Sequence, residues 1–114
     1  MIRGLSKLQR EILILAYKNK ERYPEGKVDI SNREVLVKIY GFKPLVNINE
    51  AKLGASVFDR EAIGVKRYQA TFVVVVRCFN RLVARGLAER EYNRGIRLTD
   101  AGVKIVKGIK FNKI

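Results

Sequence analysis

Apolar residues return at helical spacing in several segments, and the elements can be read from them. Leu5, Leu8, Ile12, Leu15 and Ala16 form one stripe, the pattern of an amphipathic helix. Ser6 and Gln9 stand at capping-box spacing, which satisfies orphan N–H groups at a helix start. Tyr23-Pro24-Glu25-Gly26 is turn chemistry and ends the element. Ser31 and Glu34 repeat the capping spacing ahead of Val35, Leu36, Ile39 and Tyr40. Gly41 suits the left-handed position past a helix end, and Pro44 follows, so this second helix spans about ten residues.

Residues 42–66 are less periodic. They contain Pro44, Gly54, Gly64, Asn47 and Asn49, with Leu53, Val57, Phe58 and Ile63 available to pack on a core. Short helical turns fit around 49–53 and 58–63. The next segment reads two ways. The run from Thr71 to Val76 has the β-propensity of a buried strand. The wider window favours a helix. No Gly or Pro occurs between Lys66 and Gly86. Phe72, Val75, Val76, Phe79, Leu82 and Val83 recur at helical intervals, and such a span is long for a strand. Arg77, Arg81 and Arg85 would share the opposite face, and Gly86 would close the helix.

Two strands are expected at 87–92 and 96–98, joined by Asn93-Arg94-Gly95 with Gly in a left-handed position. Thr99 can cap a last helix, and Asp100 in its first turn suits the dipole. Ala101, Val103, Ile105 and Val106 give that helix a partial apolar face. Lys107, Lys110 and Lys113 follow at three-residue spacing.

Charge changes the picture more than composition does. The 114 residues carry 24 basic and 11 acidic side chains, a net charge of +13. One domain, 1–114, is the expectation for this length. Such an excess destabilises a compact chain by self-repulsion, and a polyanionic partner relieves it. The excess is uneven: no carboxylate occurs between Glu61 and Glu89, where Lys66, Arg67, Arg77, Arg81 and Arg85 lie.

Candidate chemistry is thin. The chain has no His and a single Cys. The commonest general base, the His-activated nucleophiles and a thiolate metal cluster are thereby excluded. One Cys fits a reducing compartment. No apolar run is long enough to span a bilayer, and Met-Ile-Arg-Gly-Leu-Ser lacks a signal-peptide core. Asp59 and Glu61 with Lys66 nearby are a faint nuclease set, but metal-assisted cleavage needs carboxylates converging from several elements. Glu89 and Glu91 would merely share a strand face. Cys78 reads as a small apolar residue with no resolving partner. The expectation is a non-enzymatic protein with no cofactor and no metal.

The stretch Phe79-Asn80-Arg81-Leu82-Val83-Ala84-Arg85-Gly86-Leu87-Ala88-Glu89-Arg90 resembles the end of the recognition helix and first wing strand of winged helix-turn-helix transcription factors. Ile96-Arg97-Leu98-Thr99-Asp100-Ala101-Gly102 resembles the second wing strand and helix opening of MarR-like and related small regulators. The likeness is best over residues 68–106. It implies a mainly α fold with a small β-hairpin, a winged helix-turn-helix. The departure is an unusually long connection between helices 2 and 3, residues 42–66, where three or four residues are usual.

The resemblance implies a small, sequence-specific, double-stranded-DNA-binding regulator or DNA-docking factor. Its recognition helix would present Lys66, Arg67, Tyr68, Gln69, Thr71, Val74, Arg77 and Arg81 to a major groove. Gln69 suits adenine and Arg77 suits guanine; Val73 or Val74, if exposed, suits a thymine methyl. The wing would place Asn93, Arg94 and Arg97 on the backbone or in a minor groove. Arg90, between Glu89 and Glu91, is the weakest wing candidate. A homodimer that reads two half-sites is expected, with the first or last helix supplying its interface, located in the cytoplasm on the nucleoid, with no membrane partner. Segment 42–66 is a candidate contact for a protein partner. The plainer readings are a solvated basic face on a core helix and charges that protect an edge strand. Two other functions compete: an RNA- or ribonucleoprotein-associated basic protein, and a winged-helix protein-interaction adaptor. Exposure of Val73 and Val74 would favour the adaptor.

Overall fold

The computed structural model describes residues 4–48, 57–91 and 94–112. It is mainly helical, with a small three-stranded antiparallel sheet. Helix α1 runs Lys7–Arg22, strand β1 Ile30–Ser31 and helix α2 Asn32–Lys38. A short α3, Arg60–Ile63, precedes the long α4, Val65–Ala84. Strands β2, Ala88–Glu91, and β3, Gly95–Leu98, lead to α5, Asp100–Asn112.

The helix starts follow the sequence signals. Ser6 Oγ accepts the Gln9 N–H at 3.1 Å, and Gln9 Oε1 accepts the Ser6 N–H at 2.9 Å. Ser31 Oγ accepts the Glu34 N–H at 3.1 Å. The buried side of α1 is Gln9, Ile12, Leu13 and Ala16, so Leu13 joins the core while Leu8 and Leu15 lie at its edge. Helix α2 is shorter than its apolar spacing suggests, because the chain leaves helical pairing before Gly41. That glycine takes φ +73°, and the Phe42 N–H turns back to the Leu36 carbonyl at 3.0 Å.

Residues 65–84 are helical, as the wider window indicates. The buried positions Val75, Cys78, Phe79 and Leu82 fall at i, i+3, i+4 and i+7. A strand would have buried alternate residues of the Val run. Gly86, at φ +74°, ends the helix. Its N–H reaches the Val83 carbonyl at 2.9 Å and the Leu87 N–H reaches Leu82 at 3.0 Å, the paired bonds of a Schellman cap. Thr99 then joins two elements. Its hydroxyl donates to the Gly86 carbonyl at 2.6 Å and accepts the Gly102 N–H at 3.1 Å, capping α5.

The expected two-stranded hairpin is completed by a third strand. β1 pairs with β3 through Ile30↔Ile96 and Ser31↔Gly95, giving the order β1-β3-β2. Two residues carry no periodic pattern, so β1 is not visible in the sequence. Buried Asp29 ties it down: Asp29 Oδ2 accepts the Leu98 N–H at 2.7 Å, and the Asp29 N–H donates to the Ile96 carbonyl at 2.9 Å. Gly95 is also corrected. It does not take a left-handed conformation; it is needed because the β1 backbone, paired beside it, approaches it too closely for a side chain. A Cβ there would collide with the Ile30 carbonyl oxygen and lie 2.8 Å from Ser31 Cα.

The core is continuous across helices and sheet. Ile12, Leu13, Ile30, Leu36, Phe79, Leu82, Ile96 and Val106 are fully buried within it. Phe42 and Phe58 extend it beneath the long connection, whose ends meet at a Pro44↔Phe58 bridge. The Leu45 N–H donates to the Val57 carbonyl at 2.7 Å. The helical turn expected at 58–63 is α3, capped by Asp59 Oδ1 on the Glu61 and Ala62 N–H groups. The turn expected at 49–53 lies outside the described residues. No described helix is long and apolar enough to cross a membrane.

Candidate nucleic-acid interface

Helix α4 supplies one continuous exposed face. With its core stripe turned inward, Lys66, Gln69, Ala70, Val73, Val74, Arg77, Asn80 and Arg81 all stand in solvent. They follow one another at three- and four-residue steps, so they share a side of the helix. Asn80 is not among the sequence candidates, although its spacing of three from Arg77 and seven from Val73 places it there. Val73 and Val74 are each 44% exposed, whereas Val75 is fully buried. The run of valines thus divides between core and surface.

Two expected recognition residues do not join this face. Tyr68 is half-buried, its ring stacked on Phe72 and Phe42 at centroid distances of 6.3 and 6.4 Å. It also lies 5.9 Å from the Phe58 ring. Thr71, three residues on, turns toward the same side and is half-buried. The cause is the long connection: Phe42 and Phe58, brought in by its two ends, form an aromatic cluster that takes the inward side of the first α4 turns. Arg67 lies at the border. It is exposed, and its guanidinium sits 5.0 Å from the Phe42 ring centroid. Arg60 covers Tyr68 in the same way at 5.0 Å. These cations pack on rings at the base of the connection, where Leu45 and Val46 remain 63% and 51% exposed.

At the other end of α4, Arg85 is not a third free cation beside Arg77 and Arg81. Its Nη1 donates to the Gly4 carbonyl at 2.9 Å, which ties the segment before α1 to the end of α4.

The β2–β3 hairpin has two chemically distinct sides. Strand alternation sets Ala88 and Arg90 opposite Leu98 and Ile96 on the core side. The Arg90 guanidinium lies 5.6 Å from the Phe79 ring centroid, and its buried Nη1 has no hydrogen-bond partner among the described residues. Arg90 therefore packs on the core instead of reaching outward. Glu89 and Arg97 face each other across the strands on the outer side, so part of the Arg97 charge is offset. Arg94 is half-exposed at the turn; its N–H donates to the Glu91 carbonyl at 3.1 Å and its carbonyl accepts the Asn32 N–H at 3.0 Å. Asn93 lies outside the described residues, as does Lys113 of the tail. Lys104 and Lys107 are exposed on α5.

The carboxylates do not converge. Asp59 is occupied as the α3 cap, and no group of three or more His, Cys, Asp or Glu that could hold a metal occurs among the described residues.

Cys78 is buried on the inward side of α4. Burial pushes its thiol up to about 11, against the opposing pull of the Arg81 cation. Tyr40 is raised too, first by burial and then by the negative charges of Cys78 and Glu11. A raised thiol means the unfolded chain ionises first. The Cys78 contribution to stability is therefore intact below the ordinary value of 9.0 and is lost as pH rises toward about 11. Urea midpoints measured across that window should fall more steeply for the native protein than for Cys78→Ala. Parallel curves would contradict this assignment.

In comparisons with protein-family models, curated proteins and solved structures, the chain matches none of them.

Proposed function

We propose that the protein binds double-stranded DNA as a winged helix-turn-helix module, with α4 in a major groove and the β2–β3 hairpin on the backbone. One observation carries the reading. The exposed face of a 20-residue helix bears Lys66, Gln69, Arg77, Asn80 and Arg81, with no carboxylate along α4 to oppose them. Arg and Gln are the side chains that pair bidentately with guanine and adenine edges, and Asn pairs with adenine as Gln does. The element order supports the reading: helix, strand, helix, short helix, long helix, then a hairpin whose β3 is flanked by β1. Arg94 at the hairpin turn is then a backbone contact. Recognition is assigned to Lys66, Gln69, Val74, Arg77 and Arg81, with Asn80 added and Arg67 at the edge. Tyr68 and Thr71 serve the aromatic cluster and its surroundings. A two-fold dimer would let two such helices read paired half-sites.

A second reading is protein docking on the same helix. The exposure of Val73 and Val74 favours it, since paired aliphatic side chains in solvent are what a partner helix covers.

Competitive binding to duplex DNA, single-stranded DNA and RNA over a salt series separates these readings. DNA recognition is expected to give duplex preference and a log–log salt slope of about −0.9 per phosphate neutralised. Equal or tighter RNA binding at matched salt would defeat it, and absence of binding to all three would leave protein docking.

A further inference from the structure

We propose that Val73 and Val74 read the C5-methyl groups of pyrimidines, so that the duplex favoured by this protein carries thymine beneath the middle of α4. The inference rests on the duplex-DNA reading above and says what that face discriminates.

The fold does not need these two side chains. Val75 is fully buried and fills the core, while the two valines before it are each 44% exposed. Valine is a weaker helix former than alanine because its branched Cβ loses rotamer freedom against the preceding turn. Valines 73 and 74 thus cost helix stability and recover less of it through burial than fully buried Val75 does. Ala70, one turn earlier on the same face, shows what a residue with no such burden looks like.

Their position narrows the target. The pair lies midway between Gln69 and Arg77, which are about 12 Å apart along the helix axis. With those two on base edges, the valines between them face base edges too and stay clear of phosphates. Valine has no donor or acceptor to offer a base. In the major groove the apolar group available to it is the thymine methyl. A cytosine edge would instead leave its amino group against a hydrocarbon, stripped of water without a partner.

The test uses the full-length protein and short duplexes of one length at one salt concentration. An alternating A·T duplex is compared with the same duplex containing deoxyuridine for thymidine. An alternating G·C duplex is compared with its 5-methylcytosine form. Each methyl placed against a valine is expected to tighten binding about fourfold. The double variant Val73→Ala/Val74→Ala, which should fold at least as well, is expected to lose both preferences and to bind the uracil duplex as the native chain does. Equal affinity for thymine and uracil duplexes, with ordinary salt dependence, overturns the methyl inference alone. So does a methyl preference that survives in the double variant. Failure to bind any duplex overturns it together with the reading on which it rests.

Discussion

Gly95→Ala is expected to lower the stability of the fold by about 3 kcal/mol, the upper part of the range for overpacking a tight site. The new methyl would meet the Ile30 carbonyl oxygen, with the Ile30 carbonyl carbon at 2.9 Å and Ser31 Cα at 2.8 Å. All three are backbone atoms, so no rotamer change relieves the contact. β1 must separate from β3. That strains the Asp29 N–H bond to Ile96 and the Asn32 N–H bond to Arg94, and it pulls fully buried Ile30 from the core. Two other glycines calibrate the effect. Gly86 has φ +74° and nothing within 4 Å of the place a methyl would take, so Gly86→Ala should cost only the left-handed strain, about 1–2 kcal/mol. Gly108 is helical with open space around it, so Gly108→Ala should stabilise by up to about 1 kcal/mol. Urea unfolding followed by circular dichroism gives all three values. A Gly95→Ala loss no larger than that of Gly86→Ala would show that β1 does not press on β3 as described.

Arg77→Ala is expected to weaken duplex binding about 5–150-fold at the preferred site, the worth of one bidentate base contact. Arg77 is exposed in the second half of α4, so its truncation should change folding stability by no more than about 0.5 kcal/mol. The loss should be greatest for duplexes recovered by selection from a random library and small for unrelated ones, which relaxes sequence preference. Arg94→Ala makes the contrast. A backbone contact at the hairpin turn should weaken all duplexes alike and reduce the salt slope by about 1. If Arg77→Ala leaves both affinity and preference intact, α4 does not lie in the groove. The exposed valines would then favour protein docking.

Local signals in the chain were legible because their physics is local. Ser6 with Gln9, Ser31 with Glu34, and Thr99 ahead of Gly102 satisfy backbone groups three residues away, so spacing alone reveals them. The choice of helix over strand for 65–84 was legible for a related reason. A single element that buries one side over 20 residues must show its period in the sequence. The basic outer face of α4 followed directly from that assignment, with Arg77 and Arg81 opposite Val75 and Phe79.

Other features depend on chain segments that meet only after folding. β1 is two residues long, and its partner lies more than sixty positions away; no window of the sequence contains that pairing. The same contact decides why position 95 is glycine. In sequence Tyr68 looks like a surface recognition residue and Arg90, though set between Glu89 and Glu91, like a wing cation. Tertiary packing turned both inward, Tyr68 onto rings delivered from the two ends of the 42–66 connection and Arg90 onto Phe79 through strand alternation. The sequence by itself therefore determined the helices, their caps and the charged side of α4, because those obey short-range periodicity. The tertiary structure decided which of those side chains remain free to touch a partner, because burial depends on what arrives from elsewhere in the chain.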